Sequence, residues 1–171
     1  MARLEAAERG ARCGRDAIAV WAPKGAWSRG WRLVSLDGST LDVADAPANE
    51  LAFGRPGSRR GDSADPRIRF GALVANGTHV LFGSRMAGSG TGEITLAKAV
   101  LVTLQKGMLC LADRQVFGFA LWQEALGTGA DLVWRVKRTM RLLCDRRWPD
   151  GSYQSRIYAS ARGTGGTRPT A

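Results

Sequence analysis

Two aspartates stand where chemistry is open to them. Asp37 interrupts an apolar run in VSLDGST, and Asp113 ends the run in GMLCLADRQV. A bland explanation is that strands end on polar residues, and Asp often supplies the end. The chemical explanation requires the two strands to be neighbours. Adjacent strands lie about 4.8 Å apart, so the two carboxylates would converge at one edge of a sheet. Close negative charges repel, and one stays protonated unless a cation sits between them. Carboxylate oxygens suit Mg²⁺. Metal ions held this way activate a water or sugar hydroxyl and stabilise the leaving oxygen in phosphodiester attack. Pattern alone leaves both explanations open.

The charge balance bears on the choice. The chain has 171 residues, room for one ordinary domain, and 44% of them are hydrophobic, which is usual for a globular protein. Its net charge of +10 is not usual. Such an excess favours an anionic partner, most often nucleic acid. Lys stands only at positions 24, 98, 106 and 137, so a codon bias toward Arg is the competing explanation.

Other chemistries are poorly supplied. Cys13, Cys110 and Cys144 stand far apart, there is no CxxC, and His79 is the only histidine, so a zinc site lacks ligands at usable spacing. An odd count of scattered cysteines suggests reduced thiols in the cytoplasm, and a DNA partner would make the protein nucleoid-associated. A Cys, Ser or Thr nucleophile with His79 as base lacks the G-x-S-x-G elbow. The stretch AGSGTGE has Glu93 where a dinucleotide loop wants its third glycine, and no Gly-Lys-Ser follows. Glu93 is better explained as a charge that favours a helix N-terminus. No segment reaches the roughly 18 apolar residues of a membrane span, and the N-terminus has no apolar core of signal-peptide type.

The elements that must position the aspartates follow from periodicity. WRLVSLDGSTLDV predicts a first strand, within a stretch from Trp27 to Val43. Residues 44–66 hold Pro47, Pro56, Pro66 and several glycines, which predicts a long loop. RIRFGALVA and THVLFGSRM flank Asn76-Gly77, a pair that accepts positive φ at both turn positions, and predict a hairpin. In ITLAKAVLVTLQ, Ile94, Ala97, Leu101 and Leu104 recur at helical spacing, with Gly107 as a cap. GMLCLA is a short buried strand. FGFALWQEALG is a helix with Phe117, Leu121 and Ala125 on one face and Gly127 as its stop. DLVWRVK is a further apolar strand. A meander followed by strand-helix alternation implies an α/β fold, a mixed sheet of about five strands with flanking helices. Beyond Lys137 the pattern fades, leaving a hairpin around Asp150-Gly151 and a tail, SARGTGGTRPTA, that reads as disordered.

With these blocks in order, the text resembles bacterial insertion-sequence transposases of the DDE type, close to those of actinobacteria. The resemblance runs through WRLVSLDGSTLDVADAPANELAFGRPGSRRG, ALVANGTHVL, GTGEITLAKAVLVTLQKGMLCLADRQVFGFALW and TGADLVWRVK, covering roughly Ala26 to Tyr158. It implies a ribonuclease H-like catalytic core in which the first strand is central and the fourth lies beside it. It implies that Asp37 and Asp113 are the first two catalytic aspartates and the ligands of Mg²⁺ or Mn²⁺. The implied activity is DNA nicking and strand transfer. The implied divisions are an unmatched segment 1–25, a partial catalytic domain 26–137, and the start of a β-rich insertion with a tail at 138–171.

The departures are specific. The family's third acid, a glutamate on a late helix, has no counterpart here, so a truncated core, incomplete at the C-terminus, is expected. Such a chain should fail at strand transfer alone and melt broadly. Gln115 and Val116 replace a glycine and a phenylalanine that the family carries after Arg114. The alternative function is a non-catalytic DNA-binding protein that modulates full-length transposase. Besides DNA, a second copy or the full-length transposase are the partners implied. A stand-alone nuclease using Asp37, Asp113 and Glu93 is a third possibility.

Several other residues have two readings each. Arg55, Arg59 and Arg60, on the loop after the first strand, either meet DNA phosphates or are simply solvated. Arg114 either meets a phosphate or pairs with Asp113. Trp122 and Trp134 are expected in the core. Trp27 and Trp31 are expected to pack beside the first strand, with base stacking by Trp27 as the functional reading.

Overall fold

The computed structural model describes residues 24–57 and 65–159. Its long strands are β2 (Trp31–Asp42), β3 (Arg67–Ala75), β4 (Val80–Gly88), β5 (Met108–Ala112) and β6 (Asp131–Trp134). A two-residue strand, β1 (Trp27–Ser28), folds back on the start of β2. The helices are α1 (Pro47–Phe53), α2 (Glu93–Leu101) and α3 (Phe119–Gly127). A separate small ribbon pairs β7 (Arg146–Arg147) with β8 (Tyr153–Gln154) around Asp150-Gly151.

The fold is α/β with a mixed sheet of six strands, in the order β4-β3-β2-β5-β6 with β1 beside β2. The β2, β3 and β4 meander is antiparallel, whereas β2, β5 and β6 run parallel. Parallel neighbours need a crossover, and α2 and α3 supply the two crossovers. Alternation along β2 and β5 decides which face they cover. Val34, Leu36, Met108, Cys110 and Ala112 point to one face and are buried. Ala97, Val100 and Leu101 of α2 and Leu121 and Ala125 of α3 complete that core. Each large apolar side chain so buried contributes about 1.5–3 kcal/mol. Trp122 packs edge-on against Trp134, with ring centroids 5.3 Å apart. The opposite face carries Leu33, Leu109 and Leu111, half-buried, and Val133, which is 56% exposed. No described helix is long and apolar enough to cross a membrane.

Several expectations are corrected. Residues 47–53 form α1 rather than loop, because Pro47 sits at the first helical turn, where its missing N–H costs nothing. Helix α2 stops at Leu101, short of Gly107, and turns at Thr103 and Leu104 follow it. Gly107, with φ of 88°, instead opens β5. Ile94 is exposed, and Leu96 takes its place in the core. The hairpin forms, but its turn spans residues 76–79 and the positive φ belongs to His79 (56°). Gly77 is needed for space: a Cβ there would lie 2.5 Å from the Ala26 Cβ. Strand β6 ends at Trp134, three residues before Lys137. Trp27 and Trp31 are 41% and 36% exposed, and Trp31 is held by its Nε1–H, which donates to Asp131 Oδ2 at 2.6 Å. Arg59, Arg60 and the segments 1–23 and 160–171 lie outside the described residues.

The buried Cys110 thiol is pushed up to about 11 by desolvation, so it stays protonated at neutral pH and packs as a small apolar group. A bulge in β4 brings Gly83 against Thr103. Gly83 has φ of 63°, and an added Cβ would lie 2.4 Å from Thr103 Oγ1. Gly83→Ala is expected to lower stability by about 2–4 kcal/mol, from left-handed strain plus overpacking. Gly90→Ala, where open space surrounds the position, should change it by less than about 0.5 kcal/mol. Urea denaturation of both variants checks this, and equal midpoints would contradict the account of the bulge.

Candidate functional site

The parallel ladder aligns Leu36 with Ala112 and Ala112 with Trp134. These three residues end the buried alternation on their strands. The next residue along the chain is Asp37 within β2, Asp113 just past β5 and Arg135 just past β6. Three strands therefore deliver two carboxylates and a guanidinium to one row at the same sheet edge. The adjacency that the chemical reading of Asp37 and Asp113 required is present.

Local contacts fix each member of the row. Asp37 lies within β2, paired to Ala72 of β3. Its Oδ1 accepts the Gly38 N–H at 2.8 Å. The Asp113 carbonyl accepts the Val116 N–H at 3.3 Å, closing a turn that runs from strand end to the buried Phe117. Gln115 and Val116 thus still form a compact turn. The Arg135 N–H donates to the Ala112 carbonyl at 2.9 Å and extends the ladder one residue past β6. The Arg135 Nη1 then lies 3.0 Å from Asp113 Oδ1, with the two side chains 73% and 50% exposed. Arg114, expected as the local partner of Asp113, is exposed and makes no ion pair among the described residues. Sequence reasoning missed Arg135. It treated DLVWRVK as one apolar strand, and the signal lay in the register between that strand and MLCLA.

Two concavities meet at the row. A cleft of about 200 Å³ lies between the carboxylates and the start of α2, with Phe70, Glu93 and Leu96 on its walls. A shallower groove of about 400 Å³ runs along the opposite face, over Ser35, Leu111, Val133 and Arg135. Asp37 and Asp113 line both. Glu93 sits in the first turn of α2, where its charge favours the helix dipole. Among the described residues no three His, Cys, Asp or Glu side chains gather as a metal-binding group, although Glu93 lines the same cleft as Asp37 and Asp113.

Two carboxylates on adjacent strands are a thin donor set, and the chemistry of that set decides which metal fits. Ca²⁺ and structural Zn²⁺ need more protein ligands. Mg²⁺ keeps several waters and is commonly held by one or two carboxylates plus substrate phosphates. By that chemistry the pair could hold a Mg²⁺-type ion whose remaining positions waters or a phosphate would fill.

The remaining candidates fall elsewhere. Arg55 is engaged by two acids: its Nη2 donates to Asp45, and its Nε pairs with Glu50 Oε1 at 3.1 Å. Those hydrogen bonds raise its pKa well above the ordinary Arg value. It ties α1 to the strand exit, and the two acids offset its charge locally. Asp42 pairs with Arg67, which explains the acid there without chemistry. His79 is an exposed hairpin-turn residue.

Beyond Arg135 the chain turns strongly basic. Lys137, Arg138, Arg141 and Arg147 are exposed and make no ion pair among the described residues. The Arg146 guanidinium lies 5.6 Å from the Trp148 ring centroid, on the β7–β8 ribbon. No protein-family model matches the chain, and no curated protein matches it in sequence.

Proposed function

We propose that Asp37 and Asp113 form the metal-binding pair of a ribonuclease H-like core, related to that of DDE transposases, and that the chain acts on DNA. The observation that carries this reading is the shared row: two acidic side chains, 76 positions apart in sequence, on the strands that pair Leu36 with Ala112. The strand order supports it as well. Counting only the five long strands, the sheet runs third-second-first-fourth-fifth, with the first three antiparallel and the last two parallel to the first. The central first strand with the fourth beside it is the part of this order that the sequence resemblance implies. The net charge of +10 supplies the electrostatic affinity for a polyanion.

In this reading Asp37 and Asp113 would hold Mg²⁺ or Mn²⁺, which would supply Lewis-acid activation of a water or 3′ hydroxyl at the phosphodiester. The protein's own contribution is placement. Rigid parallel pairing fixes both carboxylates, and the row opens onto the cleft and the groove, so a backbone phosphate can reach it. Arg114 extends from the turn after β5 and offers a phosphate contact. Such contacts position the strand without reading its sequence.

Because no third acid joins the pair among the described residues, metal binding by this chain is weak and strand transfer is not expected from it alone. A Mg²⁺ or Mn²⁺ titration tests this. With metal at several times its Kd, linkage stabilises the folded chain by about 1 kcal/mol. Asp37→Asn and Asp113→Asn should each lose most of that gain. An identical gain in all three proteins would remove the metal from this row. Efficient nicking of transposon-end DNA would show that the pair suffices.

A second reading, a non-catalytic DNA-binding protein that modulates a full-length transposase, is favoured by the exposed cations Lys137, Arg138, Arg141 and Arg147, which make no ion pair among the described residues. It requires DNA binding without metal. The affinity should then fall with salt, at a log–log slope near −0.9 per phosphate neutralised. Replacing Lys137, Arg138, Arg141 and Arg147 together by Ala should flatten the slope by about two to four. A slope unchanged by the fourfold replacement would place the DNA contacts elsewhere.

A further inference from the structure

We propose that Arg135 is the built-in counter-ion of Asp113, displaced when a divalent cation arrives and then taken up by a phosphate oxygen of the nucleic acid. This rests on the reading of Asp37 and Asp113 as metal ligands. Arg135 is a positioning residue: it governs when the pair is open and holds the phosphate next to it.

Register puts the contact within reach. The Arg135 N–H on the Ala112 carbonyl (2.9 Å) fixes the backbone beside Asp113, and Nη1 reaches Oδ1 at 3.0 Å. A guanidinium cannot shed its proton near neutral pH. When a divalent ion approaches Asp113, Arg135 must therefore move aside rather than neutralise. Movement is cheap, because an ion pair between side chains 73% and 50% exposed holds weakly. The displaced side chain has somewhere to go, since it already lines the open groove with Ser35, Leu111 and Val133.

Charge shows why phosphate follows. Two carboxylates and one guanidinium leave the row with a single negative charge. A bound divalent ion, with the displaced Arg135 still beside the row, would turn that into a single positive charge, which one phosphodiester neutralises. The planar fork of Arg then suits two phosphate oxygens, as Lys does not. The cations at Lys137 and Arg138 continue from the same strand end and keep a bound backbone on this side. Metal and DNA thus bind with positive coupling, each favouring the other by the same factor.

The test uses the full chain and MnCl₂, with free Mn²⁺ followed by electron paramagnetic resonance. Without DNA, Arg135→Ala should bind Mn²⁺ about two- to five-fold more tightly than wild type, since its competitor is gone. Binding of a fluorescein-labelled oligonucleotide should tighten when Mn²⁺ is added to wild type, and this gain should shrink in Arg135→Ala. Arg135→Lys should keep the wild-type Mn²⁺ affinity and recover only part of the gain. A merely structural arginine would move the melting temperature and leave the two affinities uncoupled. Mn²⁺ affinity in Arg135→Ala equal to or below that of wild type overturns the counter-ion role by itself. Mn²⁺ binding that survives both Asp37→Asn and Asp113→Asn, or that is absent from wild type, removes the metal reading underneath and the inference with it.

Discussion

Leu36, Ala112 and Trp134 lie side by side across three parallel strands, each buried to within 8%. Everything at the edge of the sheet depends on this register. Strand side chains alternate, so a slip of one residue would send the buried set to the other face. It would also carry Asp37, Asp113 or Arg135 out of the row. The hydrophobic core therefore does more than hold the fold: by fixing which residues are inside, it fixes which charged residues come next. Phe82, Leu73 and Val34, all fully buried, anchor the antiparallel half to the same core.

Much of this architecture was legible in sequence. The first strand, the hairpin, both crossover helices and the two parallel strands follow from apolar period and turn residues. Leu121 and Ala125 of α3 are buried as their spacing predicts, whereas Phe117 is buried in the turn before the helix, which starts at Phe119. Helix α1 was not legible, because proline and glycine counts dominated the stretch and its helix buries no residue. An unburied helix leaves no apolar period to read. The end of α2 was misplaced for a related reason: Leu104 is buried in the turn after the helix, so burial continued where helical hydrogen bonding had stopped.

The site divides along the same line. Asp37 and Asp113 stood out because each breaks an apolar run. Arg135 did not, because its role comes from a partner 22 positions away, through a ladder that no local pattern encodes. Arg55 shows the converse. Its surroundings in sequence suggested a free cation on a loop, whereas Asp45 and Glu50 close around it. Charge in a sequence is a count, and only folding decides which charges meet. The basic stretch from Lys137 to Arg147 survives that test, since its cations stay exposed.

A strand edge that joins two acids and one arginine is a specific electrostatic arrangement, and its central claim concerns where a divalent ion goes. Amide correlation spectra of the ¹⁵N-labelled chain, titrated with substoichiometric Mn²⁺, answer that most directly. Paramagnetic broadening should appear first at the amides of Asp37, Gly38, Asp113, Arg114 and Arg135. Broadening centred instead on Asp42 and Asp45, on Asp145 and Asp150, or spread evenly over the acidic surface would contradict it.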